Sequence, residues 1–379
     1  MGKTFRISIL LVSLLLCLFN THSYSQANRI DSEYRFFENG KPTPQGIDVG
    51  MFAQTSTRAK IDLGGNWQFT HDGKEWRSVQ IPSAYNFIGK VTFQRKFEIT
   101  NEMLDKYNFS LVCYGINYQA EIQINGNFVG RHIGGYSSFV LPIREKVLQL
   151  GTENAIKIEV NDELTVNTTL PLRHMVNGWR NYGGIFRDIY ILATPKLSIS
   201  ETIAKSEISS DYKSVKLNVR STIENYGFTL SEESSSKNVF TAYSIEVYDK
   251  LTEALVGKSG LVPFSISPKK TKDLNVDLPI ANPKLWSPET PDLYIVKCFI
   301  VRVSGKEIFP INEFIFNYGF RDRRLKSGAI LVNGTQLQLM GVMWQEDHPF
   351  FGSAMTYEAL EKDVAIMKTA GVNFIRFLY

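Results

Sequence analysis

The residues best suited to chemistry lie in the last tenth of the sequence. Glu346, Asp347 and His348 follow an apolar run, and carboxyl and imidazole groups are common general acids and bases. Arg376 interrupts a second apolar run, where a guanidinium needs a partner to offset its desolvation. Adjacent strand residues point to opposite faces, so Glu346 and Asp347 cannot flank one substrate as a catalytic pair unless the loop distorts. We therefore predict a polar binding site here, in which one of the two acids binds a ligand or orients a neighbour.

The elements that carry these residues form a strand–helix–strand unit. Residues 336–344 and 372–379 read as apolar strands, and 356–371 has the period of an amphipathic helix. Thr356 is placed to cap this helix and Gly371 to end it. Apolar strands joined by a helix indicate a parallel sheet covered by helices. Because a lone unit of this kind exposes its sheet edge, we expect the sequence to end inside a domain.

Two stretches of short strands precede this unit, and the chain is predicted to be mainly β. Residues 60–193 alternate in the manner of half-buried strands and contain the hairpin signal Asn125-Gly126, which favours a jelly-roll sandwich. Residues 194–323 favour a smaller immunoglobulin-like sandwich, with 231–238 as a mobile polar loop. The strand candidates of this second stretch are 215–223, 243–249, 272–280 and 293–303.

Composition excludes several classes of protein. Hydrophobic residues make up 43% and charged residues 21%, which is typical of a globular chain. The formal charge of +4 is too small to argue for nucleic acid binding. Cys113 and Cys298 lie in strand-like runs and are predicted to be free buried thiols, and the sequence shows no metal-ligand spacing.

Residues 1–25 have the pattern of a signal peptide. Lys3 and Arg6 give a positive start, an apolar run spans 7–19, and small residues stand near the cleavage position. The apolar run is too short to span a bilayer of about 30 Å as a helix, so we expect no stable membrane anchor. This pattern predicts export to the periplasm or the extracellular space. The segment 26–59 has no predicted fold.

Several motifs, in order from about residue 64, resemble family 2 glycoside hydrolases, the group of β-galactosidases, β-glucuronidases and β-mannosidases. These motifs are NYGGIFRDIYIL (181–192), NPKLWSPETPDLY (282–294), NYGFRD (317–322) and NFIR (373–376). The resemblance implies a jelly-roll sugar-binding domain, an immunoglobulin-like sandwich and, over 324–379, the first βαβ unit of a truncated (β/α)8 barrel. It also implies hydrolysis of a β-linked glycoside, with retention, by two glutamates and without a cofactor. β-Galactosidase is the preferred activity, and β-glucuronidase is close behind.

In the family, the two glutamates stand at the ends of the fourth and seventh barrel strands. This sequence reaches the second strand, so we expect both glutamates beyond Tyr379 and an inactive chain on its own. The alternative is a non-catalytic carbohydrate-binding or scaffold protein, or one half of a split enzyme. An oligomer is compatible with the sequence.

The resemblance also implies a set of substrate-binding candidates. Gln345, Tyr379 and Asn177 stand where β-galactosidases have two histidines and an aspartate, which puts a well-fitted galactose pocket in doubt. For several candidates a structural role is an open alternative: an ion pair for Arg376, loop orientation for His348, and packing between domains for the segment around Trp179. Arg187 and Asp188 are predicted to be a structural pair rather than ligands. The full set of candidates is Arg376, Gln345, Glu346, Asp347, His348, Tyr379, Asn177, Trp179 and Arg180.

Overall fold

A computed structural model describes a large part of the chain. The described residues are 36–38, 51–149, 153–165, 167, 175–176, 179–230 and 239–377, with backbone only for 36–38, 175–176 and 179. The predicted signal peptide, the predicted loop 231–238, Asn177 and Tyr379 lie outside the described residues.

The first region is a β-sandwich. Its main sheets have the strand orders β10-β9-β12-β6-β3-β4 and β11-β7-β16-β2, and a third sheet has the order β1-β5-β15-β8. The strands are β1 (Phe36–Glu38), β2 (Ala59–Asp62), β3 (Gly65–Thr70), β4 (Arg77–Ile81), β5 (Ser83–Tyr85), β6 (Lys90–Glu98), β7 (Tyr107–Cys113), β8 (Ile116–Asn117), β9 (Gln119–Ile124), β10 (Asn127–Ile133), β11 (Phe139–Ile143), β12 (Glu153–Asn161), β13 (Met175–Val176), β14 (Trp179–Arg180), β15 (Gly183–Ile185) and β16 (Ile189–Pro195). Helix α1 (Asn101–Lys106) joins β6 to β7, and a short 3₁₀ turn (Glu145–Val147) precedes β12.

The core of this sandwich follows from strict alternation along its strands. In β12, Ile156 and Ile158 are fully buried while Lys157 between them is exposed. Strands β9 and β10 form the predicted hairpin, and Asn125 and Gly126 have φ of 51° and 75°. Positive φ at both turn positions matches the right-handed twist of the strands, which explains why this dipeptide stands here.

The second region is a smaller sandwich. Its sheets have the orders β17-β18-β22 and β20-β19-β23-β24, and β21 also pairs with β19. All four strand predictions are confirmed, and the buried Cys298 lies in this core while Cys113 lies in the first, both as free thiols. The strands are β17 (Leu197–Ile208), β18 (Ser214–Asn225), β19 (Val239–Asp249), β20 (Leu255–Lys258), β21 (Val262–Phe264), β22 (Lys270–Ala281), β23 (Tyr294–Ser304) and β24 (Glu307–Tyr318).

The two sandwiches are joined by a buried arginine. Arg58 precedes β2 and is 3% exposed, and its guanidinium donates to Asn312 Oδ1 at 2.8 Å and to the Ile199 carbonyl. The same group lies 4.8 Å from the ring centroid of Phe314. Arg58 thus precedes a strand of the first sandwich in the sequence, while its guanidinium contacts residues of the second sandwich.

The last region contains the predicted parallel unit. Its elements are β25 (Arg323–Lys326), β26 (Ala329–Val332), β27 (Thr335–Leu337), β28 (Gly341–Trp344), α2 (Tyr357–Thr369) and β29 (Phe374–Phe377). Strands β25, β26 and β27 form an antiparallel sheet, and β28 and β29 pair in parallel. Thr356 caps α2 by accepting from the Ala359 amide at 3.2 Å, and Gly371 follows the helix with φ of 82°, as predicted.

The prediction of one strand over 336–344 is wrong in one respect, because the structure has two strands there, β27 and β28. Asn373 separates them: its side chain donates to the Gln338 carbonyl at 2.8 Å and accepts from the Met340 amide at 2.8 Å. These backbone groups would otherwise pair with a neighbouring strand. Asn373 thus ends β27 before β28 begins.

Apolar side chains of this last region are exposed in the described residues. Met343 and Phe377 are 63% and 62% exposed, and no residue of α2 is buried. Across the described part of the chain, no helix is both long and apolar enough to cross a membrane.

Candidate functional site

A cavity of about 290 Å³ lies between the first sandwich and the parallel strands. Strands β28 and β29 both end at this cavity, through Trp344 and Phe377. The carboxyl ends of parallel barrel strands are where binding sites lie in barrel folds. The cavity is lined by Tyr114, Gly115, Gly135, Tyr136, Arg180, Phe186, Arg187, Trp344, Gln345, Glu346, Asp347, Ser353 and Phe377.

The acidic residues of the cavity lie on the segment between β28 and α2, residues 345–356, which we call the strand-end loop. Glu346 is half-buried and forms an ion pair with Arg187 of the first sandwich. Asp347 is exposed and lines the cavity, and its charge helps to raise the pKa of Tyr182. The two adjacent carboxylates therefore have different environments, and they do not form a matched pair across one ligand.

Arg187 contacts the strand-end loop at two points. Besides Glu346, it donates through Nη1 to the Ser353 carbonyl at 2.5 Å. Its side chain packs against Gly115, where an added Cβ would lie 3.4 Å from the Arg187 Cγ. One guanidinium thus holds the beginning and the far part of the same loop.

Asp188 contacts the first residue of α2. It is 3% exposed and accepts a hydrogen bond from the Tyr357 hydroxyl at 2.6 Å. Burial and this carboxylate raise the pKa of Tyr357. The structural role expected for Arg187 and Asp188 is therefore a set of contacts between the first sandwich and the strand-end loop.

Tyr182 supplies a third contact from the same motif. It is 6% exposed and packs in a small apolar cluster with Ala84, Phe186 and Ala354. Burial, followed by the charge of Asp347, raises the pKa of Tyr182. The Arg180 guanidinium lies 5.8 Å from the Tyr182 ring centroid, within cation–π distance.

Aromatic rings form much of the remaining wall. Trp344 and Phe377 have ring centroids 5.8 Å apart, and Tyr136 and Phe186 lie 5.7 Å apart. Tyr136 is 52% exposed at the cavity. None of these four residues stands out in the sequence as a site residue, because single aromatics in β-rich regions are usually core.

One local signal for Tyr136 was present in the sequence as Gly134-Gly135. An added Cβ on Gly135 would lie 1.9 Å from the Asn117 side-chain oxygen. Only glycine fits there, so the backbone before Tyr136 passes directly over a buried amide. Paired glycines before an exposed aromatic can mark such a close approach.

A chain of buried polar groups runs beneath this wall. The Asn117 amide donates to Asn181 Oδ1 at 2.8 Å and to the Tyr182 carbonyl, and Asn181 donates to the Asp162 carbonyl at 2.7 Å. The Asp162 carboxyl accepts from the Gly89 amide at 2.7 Å and is fully buried. Burial, opposed by hydrogen bonding and increased by the Glu163 charge, raises the pKa of Asp162 to about 7.

Four of the predicted binding residues line the cavity: Gln345, Glu346, Asp347 and Arg180. Arg376 does not. It is exposed and pairs in register with Met343, whereas its neighbour Phe377 pairs with Trp344 and faces the cavity. Successive strand residues point to opposite faces, which places the Arg376 side chain on the other face of this strand pair. A contact between Arg376 and a ligand stays a prediction.

His348 orients the strand-end loop. Its ring accepts from the Phe350 amide at 3.2 Å and stacks on Phe351 with centroids 4.8 Å apart. Its backbone pairs with Gly352. Trp179 lies in β14, which pairs with β13, and its side chain is outside the described residues, as are Asn177 and Tyr379.

Among the described residues, no group of three or more His, Cys, Asp or Glu side chains is arranged to hold a metal ion. The cavity instead offers hydrogen-bonding groups between aromatic walls. The described residues thus form two β-sandwiches followed by a pair of parallel strands joined through a helix, with the cavity at the strand ends.

Comparison with known proteins identifies a similar family. Residues 197–321 match the model described as glycosyl hydrolases family 2, and residues 324–378 match its TIM barrel domain. Over these two stretches the chain is similar to glycosyl hydrolases family 2.

The similar proteins carry two kinds of name. A β-galactosidase of Kluyveromyces lactis is 25% identical, with 88% of this chain and 33% of the relative covered. A β-glucuronidase of Bacteroides fragilis is 27% identical, with 88% and 48% covered. The chain thus spans about a third to a half of the length of the curated relatives it matches.

Solved structures share the fold. A putative β-galactosidase from Bacteroides fragilis superposes with a TM-score of 0.75 at 22% identity, covering 85% of this chain and 50% of that one. A β-glucuronidase from Bacteroides uniformis gives 0.72 at 21% identity, covering 85% and 39%. Together with the mainly β content, this confirms the expected sandwich architecture followed by the beginning of a TIM barrel.

Proposed function

We propose that this chain is part of an exported glycoside hydrolase that cleaves β-linked glycosides with retention of configuration, with β-galactosides as the preferred substrates and β-glucuronides next. The observation that carries the proposal is the cavity at the ends of β28 and β29, where carboxylate, amide and guanidinium groups lie between aromatic walls. Similarity to this family and the names of the similar proteins support the substrate class.

The chemistry of the cavity suits a sugar ring. Sugar hydroxyls can donate to the exposed Asp347 carboxylate and exchange hydrogen bonds with Gln345. The C–H-rich faces of a pyranose pack well on aromatic surfaces such as Trp344. The volume of about 290 Å³ is near the lower end for small-molecule pockets, so we infer that it accepts one terminal sugar rather than a long chain.

The proposed mechanism uses two carboxyl groups about 5–5.5 Å apart, one as acid and base and the other as nucleophile. Glu346 is engaged by Arg187, so it is not available to attack an anomeric carbon. We propose that the acid and the nucleophile belong to barrel strands other than β28 and β29. The reaction as proposed needs no organic cofactor, and export relies on the signal pattern in residues 1–25.

A paired assay tests the proposal. The 379-residue chain and the product of the complete open reading frame are each assayed with nitrophenyl β-galactoside and β-glucuronide. We expect turnover from the second and none from the first. The stereochemistry of the first-formed sugar, followed by NMR, is expected to show retention.

Other results would change the conclusion. Turnover by the 379-residue chain would contradict the placement of both glutamates. A complete gene product that binds sugars without hydrolysing them would support the non-catalytic alternative, a carbohydrate-binding or scaffold protein. Activity that appears only when a second, separately translated chain is added would support a split enzyme.

A further inference from the structure

The strand-end loop is held from outside the barrel region. Three residues of one short segment, 182–188, meet it at separate points: Tyr182 packs in one buried cluster with Ala354, Arg187 contacts Glu346 and Ser353, and Asp188 contacts Tyr357 just beyond it. The loop therefore takes its conformation from the first sandwich as well as from its own strand and helix.

We propose that Tyr182, Arg187 and Asp188 are positioning residues, which fix the strand-end loop so that Asp347 faces the substrate while Glu346 is turned toward the sandwich. This inference rests on the proposed function, since it assigns a role within the same cavity. It goes beyond a docking contact because it predicts an effect on substrate binding.

The arrangement of charges supports this division. The side chains of Arg187 and Glu346 are only 21% and 30% exposed, so solvent screens their attraction less than at the surface. With Glu346 neutralised by Arg187, the adjacent Asp347 carboxylate meets less like-charge repulsion. The Asp347 carboxylate itself is exposed at the cavity, so its lone pairs can accept hydrogen bonds from a ligand.

The geometry resists rotation of the loop. Arg187 contacts both Glu346 and the Ser353 carbonyl, and a planar guanidinium cannot keep both contacts if either residue turns. Asp188, which is buried, fixes the hydroxyl of the first residue of α2. A carboxylate in the middle of this span can then hold one orientation toward the cavity.

The competing explanation is that these contacts only attach the two regions to each other. In that case their loss would lower stability without changing substrate affinity selectively. The two explanations differ in KM, because a misplaced Asp347 weakens substrate binding even in protein that is fully folded.

The test uses Tyr182→Phe and Arg187→Lys in the product of the complete open reading frame. Tyr182→Phe removes the hydroxyl that senses the Asp347 charge, and it is expected to raise KM for the nitrophenyl glycoside several-fold, with kcat nearly unchanged. Arg187→Lys keeps the charge and loses one of two contacts, so KM is expected to rise less than in Arg187→Met.

Matched controls come from the second sandwich. Tyr248 donates to Glu246 at 2.6 Å and Arg220 pairs with Asp273 at 2.6 Å, and neither lines the cavity. Tyr248→Phe and Arg220→Lys are expected to leave KM unchanged. An unchanged KM in Tyr182→Phe and Arg187→Met would overturn the proposal.

A second measurement does not depend on activity. Thermal midpoints of Arg187→Met, Glu346→Gln and the double variant are compared, and we expect the double variant to lose less than the sum of the single losses. If the wild-type protein hydrolyses no glycoside, the proposed function fails; additive losses in this cycle would then overturn the positioning proposal as well, because Arg187 and Glu346 would not act as a pair.

Discussion

Asp162 shows how a single buried group can report on the site. Its carboxyl is fully buried, and one oxygen accepts from the Gly89 amide while the other has no hydrogen-bond partner among the described residues. An ionised carboxylate is costly in such a place, so the folded protein favours the protonated form. Through its backbone carbonyl, Asp162 is also linked by Asn181 and Asn117 to the backbone of Tyr182.

We predict that Asp162→Asn changes the pH dependence of stability. The folded pKa of Asp162 is raised from 3.8 to about 7, so between these values the unfolded chain releases a proton that the folded chain keeps. Stability conferred by this group is therefore greatest at low pH and falls as pH rises through this range, by at most about 1.4 kcal/mol per pH unit. Urea denaturation from pH 4 to 8 should show that the free energy of unfolding of Asp162→Asn increases relative to that of the wild type as pH rises.

Asp277 provides a control of opposite sign. Hydrogen bonds from Asn218 and Lys216 lower its pKa. The free energy of unfolding of Asp277→Asn should therefore fall relative to that of the wild type as pH rises through the acidic range. If the Asp162→Asn and wild-type curves stay parallel, the folded protein does not hold the proton on Asp162.

At the residue scale, sequence can point to positions whose chemistry is visible in the residue type. The carboxylates Glu346 and Asp347, after a strand, do line the cavity. The position of Tyr136 at the cavity could not be predicted, because it depends on a contact with Phe186, which lies 50 positions later in the sequence. The different environments of Glu346 and Asp347 could not be predicted either, because they depend on which of the two residues pairs with Arg187 of the first sandwich.

At the scale of elements, α2 depends on its cap. Thr356 is 7% exposed, accepts from the Ala359 amide and stands beside Tyr357, the partner of Asp188. We predict that Thr356→Ala lowers the free energy of unfolding by about 1 kcal/mol, since an amide of the first turn loses its acceptor. Chemical denaturation followed by circular dichroism measures this loss.

Thr100→Ala is the matched control, because Thr100 caps α1 in the same way, through the Met103 amide at 3.2 Å. Both variants should lose similar stability, but only Thr356→Ala should also raise KM, since α1 is remote from the residues that line the cavity. Equal KM values for the two variants would contradict a link between the helix start and the site.

The elements were predictable where pattern and turn chemistry agree. Alternation in β12 and the Asn125-Gly126 turn gave the right strands, because burial on one face and positive φ are local demands. The division of 336–344 into β27 and β28 was not predictable, because it depends on the side chain of Asn373, more than 30 positions later. Local pattern cannot encode a partner that only the folded chain brings near.

At the scale of the whole molecule, Arg58 connects the two sandwiches without a carboxylate among its described hydrogen-bond partners. Burial lowers the pKa of Arg58, which reflects the cost of holding a cation in this interface. Its bonds to the Ile199 carbonyl and Asn312, together with the face of Phe314, offset that cost. The contact makes the stability of one sandwich depend on the other.

We predict that Arg58→Ala lowers the free energy of unfolding by about 3 kcal/mol, because it leaves a buried carbonyl unpaired and opens a void. Scanning calorimetry should then show two transitions in place of one. Arg302→Ala is the control: Arg302 lies 4.8 Å from the ring centroid of Phe309 on a half-exposed surface and should cost under about 1 kcal/mol. A single transition in Arg58→Ala would show that other contacts couple the sandwiches.

The ion pair between Arg187 and Glu346 joins residues that are 159 positions apart. On a ribosome that adds about 5–20 residues per second, the arginine emerges on the order of ten seconds before the glutamate exists. The first sandwich has time to fold in that interval, so the strand-end loop is synthesised when its contact surface on the sandwich is already folded. The folded first sandwich would then determine the conformation of the strand-end loop during synthesis. Exchange of this sandwich between related genes would therefore change the residues that line the cavity without changing the barrel.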